Sequence, residues 1–167
     1  LASKNGILFK GSNYLDVMTK IDTVVMDKTG TLTKGVFKVQ EIKSVDIDEK
    51  ELLKLTAAIE SKSTHPIALA VVLHAGDVIK NVSINNIEEI SGHGLKGTID
   101  GKEILAGNLK LLKKFNIEYD KTIETIVETI VVVAINNKYA GYITIADEIK
   151  EDALQAIKDM HSLNIKT

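Results

Sequence analysis

The stretch Val24-Val25-Met26-Asp27-Lys28-Thr29-Gly30-Thr31-Leu32-Thr33 decides how this chain is read. The apolar run from Thr23 to Met26 predicts a short buried strand. It ends on a carboxylate, and a polar, glycine-containing turn follows at once. Asp27 is therefore expected at the carboxyl end of a strand, where open α/β sheets bind their ligands. A carboxylate in that place can attack a phosphoryl group and form an aspartyl-phosphate. The turn behind it offers backbone N–H groups, threonine hydroxyls and the Lys28 ammonium to the phosphate oxygens. The plain alternative is a strand end with an Asp that caps a turn.

Composition narrows the setting. A chain of 167 residues holds one or two domains. Its 44% hydrophobic and 26% charged content is that of an ordinary globular protein. The net charge of −2 supplies no basic face, so nucleic acid is not an expected partner. All 21 basic residues are Lys, so any phosphate meets point charges and no bidentate guanidinium. Cysteine is absent, which excludes disulfides, thiol catalysis and Cys-ligated metals and fits a cytoplasmic setting. No apolar run is long enough for a membrane-spanning helix, and Leu1 to Lys10 lacks the apolar core of a signal peptide.

Periodicity orders the rest. A short helix is expected near Tyr14 to Met18, and Lys34-Gly35 reads as a hinge into an extended amphipathic segment, Val36 to Ser44. Asp48 to Ser61 predicts a helix with Asp48 as N-cap. His65 to Ile79 predicts a second one, with Pro66 at the first helical position, where its missing N–H is harmless. Val82 to Ile90 is a strand candidate. Leu95 to Ile99 and Lys102 to Leu105 form an expected hairpin around Asp100-Gly101, a type I′ pair. Asn108 to Phe115 reads as a short helix, and Ile130 to Ile135 with Tyr139 to Ile145 as a second hairpin around Asn136-Asn137-Lys138. Glu148 to Leu163 predicts a final amphipathic helix.

The run Asp27-Lys28-Thr29-Gly30-Thr31-Leu32-Thr33 resembles the phosphorylation signature of P-type ATPases. Glu60-Ser61-Lys62-Ser63-Thr64-His65-Pro66 resembles the E-x-x-x-x-H-P motif of the heavy-metal-transporting members, copper/silver or zinc/cadmium pumps. Gly92-His93-Gly94 and Gly107-Asn108 resemble the G-x-G turn and the G-N pair of the same nucleotide-binding domain. The resemblance covers essentially the whole chain. It implies an α/β fold: an incomplete haloacid-dehalogenase-like, Rossmann-type phosphorylation domain, interrupted by an α+β nucleotide-binding domain with an antiparallel sheet. Residues 1–34 and 146–167 would be the two segments of the former and 35–145 the latter, with hinges at Lys34-Gly35 and near Ala146-Asp147.

The resemblance also implies roles. Asp27 would be the nucleophile, with Lys28 and Thr29 positioning phosphate, and Asp27 and Thr29 would contact Mg2+ in a complete protein. Glu60 and His65 would contact the adenine of ATP or ADP, Gly92 and Gly94 would admit the backbone to the nucleotide, and Asn108 would lie beside ribose or phosphates. The chemistry is consistent. A neutral imidazole near a helix N-terminus can stack on or hydrogen-bond to adenine, and the helix dipole disfavours its protonation. A carboxylate can accept from the exocyclic amine. The chain has no Walker A run, and Gly92-His93-Gly94 is not read as a dinucleotide fingerprint. His74 reads as structural, His93 as an exposed turn residue and His161 as a surface helix residue, none at metal-ligand spacing. Asp147 reads as hinge or as N-cap of the last helix, and Glu151-Asp152 as a solvated face.

The later segments with which the family completes its phosphoryl-transfer site, a T-G-D loop, a lysine and a G-D-G-x-N-D loop that binds Mg2+, have no counterpart motif in this sequence. The chain is thus expected to be the cytoplasmic portion of an integral membrane pump, ATP-binding but without turnover by itself. Membrane helices of the same parent chain would be its partners and a heavy-metal ion the transported substrate. Two other classes compete. A soluble haloacid-dehalogenase phosphatase would carry D-x-D, but Thr29 stands at the second position. A nucleotide-binding module without turnover is the other. A potassium-pumping relative is disfavoured by His65-Pro66.

Overall fold

The structure, a computed structural model, describes residues 4, 6–79 and 82–167. Residues 1–3 and 5 of the expected 1–34 segment lie outside the described residues. The chain divides into two compact units: residues 1–35 with 149–167, and residues 36–148.

The first unit holds a short helix α1 (Asn13–Met18), as its sequence predicts. The predicted buried strand before Asp27 is not formed. Thr23 makes one parallel bridge to Lys166, in which the Val24 N–H donates to the Lys166 carbonyl at 2.8 Å. Val25 is 93% exposed. Strand geometry is stabilised by neighbours that complete its ladder and cover its faces; among the described residues one bridge does so. Asp27 accordingly follows an extended segment and is itself exposed.

Beyond the Asp27 turn, strand β1 (Thr33–Ser44) carries the chain into the second unit. Helix α2 (Glu49–Glu60) starts on Asp48, whose carboxylate accepts from the Lys50 N–H at 2.9 Å. Helix α3 (Pro66–Ala75) starts with proline at the first position and His65 as N-cap. The expected helix to Ile79 instead stops at Ala75, because Gly76 takes φ +57°, and a 3-10 turn covers Gly76–Ile79. Strands β2 (Ile84–Ile90), β3 (Gly94–Ile99) and β4 (Lys102–Gly107) follow, then helix α4 (Leu109–Lys114) and strands β5 (Thr129–Ile135) and β6 (Lys138–Ile149). Both predicted hairpin turns have left-handed backbones, Asp100-Gly101 at φ +49° and +79° and Asn136-Asn137 at +48° and +61°.

The six strands form one sheet in the order β1-β6-β5-β4-β3-β2, with β2 to β6 paired antiparallel in sequence. Side chains alternate across a strand, and here each face has its own core. Leu52, Leu55 and Ile59 of α2 and Val71 of α3 pack with Ile104, Val131, Val133 and Ile143 on one face. Leu111 and Leu112 of α4 pack with Leu105, Val132 and Ala134 on the other. The continuous apolar run Val131-Val132-Val133-Ala134 is the sequence signature of this two-sided burial.

The last helix, α5 (Ala153–Ser162), is shorter than the predicted Glu148 to Leu163, because Glu148 and Ile149 are the end of β6. Asp147 lies inside β6 and does not cap α5; that position is Asp152. Glu151 and Asp152 are exposed, as is His161 on α5.

Candidate functional site

Three loops of the second unit converge at the C-terminal end of α2. Glu60 is its last residue. The chain then turns through Ser63, whose Oγ accepts from the His65 N–H at 3.1 Å. His65 Nδ1 accepts from the Ile67 N–H at 3.2 Å, capping α3. That bond requires an unprotonated Nδ1, so the neutral ring carries its proton on Nε2. Between β2 and β3 stands the turn Gly92-His93, fixed by the His93 N–H to the Ile90 carbonyl at 2.9 Å. Asn108 ties this turn to α4. Its Nδ2 donates to the Gly92 carbonyl at 2.9 Å, its N–H donates to the His93 carbonyl at 2.8 Å, and its Oδ1 accepts from the Lys110 N–H at 3.0 Å.

These loops surround a cavity of about 350 Å3. Glu60, His65, Gly92, Gly94 and Asn108 all line it. Gly107 of the Gly107-Asn108 pair lines it too, as do Ser63, Glu89 and Thr129, none of which stands out in the sequence. His93 lines the cavity as well and is half-buried, where the sequence suggests an exposed turn residue. Its Nδ1–H donates to the Ser91 carbonyl at 2.8 Å, which fixes the ring against the turn. His74 is exposed near the end of α3.

The glycines divide by reason. Gly92 takes φ +71°, and a Cβ there would meet nothing within 4 Å, so backbone conformation and open space beside the cavity both favour glycine. Gly94 and Gly107 face each other in the β3–β4 ladder. A Cβ on Gly94 would lie 2.2 Å from the Ala106 carbonyl oxygen, and one on Gly107 2.1 Å from that of His93. Gly94 is thus required by strand packing before any ligand is considered. Gly92, Gly94 and Gly97 do have G-x-G-x-x-G spacing, but a strand follows Gly94 and no helix N-terminus receives a pyrophosphate.

Glu60 is 7% exposed. Burial alone pushes its carboxyl up to about 7, and no cation or hydrogen-bond donor among the described residues offsets that penalty.

In the first unit, Thr33 closes the Asp27 loop. It is buried, its Oγ1 accepts from the Gly30 N–H at 3.2 Å and donates to the Lys28 carbonyl at 3.0 Å, and its own N–H donates to the Lys28 carbonyl. Lys150 adds a second tie, from Nζ to the Gly30 carbonyl at 2.9 Å and from its N–H to the Leu32 carbonyl. Asp27, Lys28 and Thr29 are exposed along this closed loop. The last Thr of the motif is therefore a structural residue, a role its place in the sequence does not signal. Asp27 is the loop's single carboxylate, and no group of three or more acidic or His side chains among the described residues could hold a metal. Mg2+ keeps several waters and is held by one or two carboxylates together with substrate phosphate oxygens, so Asp27 and Thr29 would supply only part of its ligand set.

A profile of the haloacid dehalogenase-like hydrolases matches residues 21–167. A cadmium, zinc and cobalt-transporting ATPase of Bacillus subtilis is 51% identical over 166 residues, covering 99% of this chain and 23% of the relative. The chain thus spans about a quarter of the length of the curated relatives it matches. Among solved structures, a zinc-transporting PIB-type ATPase in its E2.Pi state superposes with a TM-score of 0.79 at 30% identity, over 99% of this chain and 28% of that one. The catalytic domain of the CPx-ATPase CopB-B, studied for conformational change upon nucleotide binding, gives a TM-score of 0.69 at 27% identity, over 99% and 59%.

Proposed function

This chain belongs to the haloacid dehalogenase-like hydrolase family, with heavy-metal P-type ATPases as its relatives, and from that premise we propose that it is the ATP-binding catalytic part of such a pump. ATP binds in the second unit with its base between Glu60 and His65. The Asp27 carboxylate attacks its γ-phosphate, the β,γ-anhydride bond breaks and ADP leaves, and the resulting aspartyl-phosphate drives a metal ion across a membrane. Copper exporters are also among its relatives, and we extend to that ion the class named by those at 43–51% identity: zinc, cadmium or cobalt. Residues 36–148 serve as the nucleotide-binding domain and the remainder as phosphorylation-domain segments.

One observation supports this most: Glu60, His65, Gly92, Gly94 and Asn108, scattered over the sequence, line a single cavity. The chemistry supports it further. His65 has Nε2–H free to donate while Nδ1 caps α3, and the Asp27 loop leaves its carboxylate exposed. The competing phosphatase reading would need a second acid two residues after the nucleophile, where Thr29 stands.

Titration of the chain with ATP or ADP, followed by backbone amide shifts, tests the binding half. Shifts are expected at Glu60, His65, Gly92 and Asn108; shifts clustered elsewhere would remove the assignment. The longer parent tests the chemical half. With ATP it should form an acid-stable, hydroxylamine-sensitive acyl-phosphate that Asp27→Asn abolishes, because a carboxylate nucleophile yields a mixed anhydride. Label that persists in Asp27→Asn, or maps to another residue, would refute it.

A further inference from the structure

The cavity holds a buried carboxyl for which the described residues supply no counter-charge. Glu60 is almost fully buried at the C-terminal end of α2, where the dipole opposes negative charge. The titratable groups that share the cavity are His65 at the start of α3, Glu89 on β2 and His93 in the turn. Strands β3, β4 and β5 add only Gly94, Leu95, Gly107, Thr129 and Val131. His65 Nδ1 is engaged by the Ile67 N–H, and Glu89 is exposed. A carboxyl in such a place lowers its free energy by keeping its proton.

A neutral carboxyl and a carboxylate read different bases. The neutral acid presents an acceptor beside a donor, and the carboxylate presents acceptors only. Adenine offers its N6 amine beside a ring-nitrogen acceptor. Guanine offers N1–H and N2–H donors side by side, which suit a carboxylate. We propose that Glu60 reads the base as a neutral acid, its C=O accepting from the adenine amine and its O–H donating to the adjacent ring nitrogen, so that one proton selects adenine over guanine. This rests on the nucleotide reading above and adds to it the state in which Glu60 acts. The proton stays on Glu60 throughout; no covalent bond is made or broken.

The test is calorimetric titration of the 167-residue chain with magnesium-free ATP and with GTP, from about pH 6 to pH 8. The triphosphate ionises alike in both ligands, so its contribution cancels in the ratio of affinities. The ATP-to-GTP ratio is expected to fall by about tenfold or more across this range, since the limiting slope is about one decade per pH unit. Glu60→Gln keeps a neutral donor–acceptor pair at every pH. It should bind ATP as the wild type does at pH 6 and hold a ratio constant within about twofold. The slope should survive in Glu89→Gln and His93→Gln. A wild-type ratio that is flat or rises with pH overturns the inference, as does a folded Glu60→Gln that has lost ATP. If neither nucleotide binds at any pH, the nucleotide reading itself fails; if both bind with a pH-independent ratio, only this inference does.

Discussion

Glu60 is a side chain whose burial costs the fold stability once its carboxyl is charged. Its carboxyl is held at about 7 by burial, against 4.5 in the unfolded chain. A raised carboxyl means that the folded state binds the proton more tightly. The associated stability is full below about pH 4.5 and is lost as pH rises through about 7. Glu60→Gln should therefore match the wild type near pH 4 and exceed it by about 2–3 kcal/mol near pH 8, measured by denaturant unfolding. Equal stability at both pH values would contradict the desolvation account. His65 is the complementary case, since one ring serves as cap and as candidate ligand. His65→Ala should cost about 1 kcal/mol of stability through the lost cap. His65→Asn restores a capping oxygen, so it should recover stability while ADP binding stays about 1–2 kcal/mol weaker than wild type. Recovery of both would make His65 a cap and nothing more.

At the scale of elements, the turn between β2 and β3 is held by the start of α4, and the β3–β4 ladder is closed by two facing glycines. Asn108 contributes both side-chain ends and its N–H to this junction. Gly94→Ala and Gly107→Ala each force a methyl against a backbone carbonyl that strand pairing holds in place. Each should cost about 2 kcal/mol or more. Gly92→Ala meets no atom and strains only the backbone, so about 1 kcal/mol is expected. Thermal unfolding of the three variants checks the order, and a Gly92→Ala loss equal to the other two would mean that the turn, not the ladder, carries the constraint.

At the scale of the whole molecule, the two units differ in what they bury. The second holds both sheet-face cores. In the first, Leu8, Val25, Leu154 and Leu163 are all exposed. Residues 36–148 alone should fold cooperatively and bind ADP within about threefold of the 167-residue chain, because the entire cavity lies within them. Loss of binding on excision would show that residues outside 36–148 shape the cavity. The 167-residue chain should not hydrolyse ATP measurably, since phosphoryl transfer depends on metal and cation placement and the Asp27 loop offers one carboxylate. Turnover abolished by Asp27→Asn would refute this.

By itself the sequence determined what depends on near neighbours along the chain. The Asp48 cap, the Pro66 start of α3 and the two left-handed hairpin turns all follow from local sterics, capping and period. The Asp27 and His65 motifs were equally visible, because each is contiguous. Tertiary structure alone decided what depends on partners distant in sequence. The run before Asp27 has strand composition, but its hydrogen bonds must come from elsewhere, and Lys166 supplies only one bridge. Thr33 and Lys150 lock the Asp27 loop through contacts that no spacing rule predicts. Gly94 is required by Gly107, which is remote in sequence and adjacent in the ladder. The raised carboxyl of Glu60 is decided by its desolvation, and burial is a property of the assembled fold.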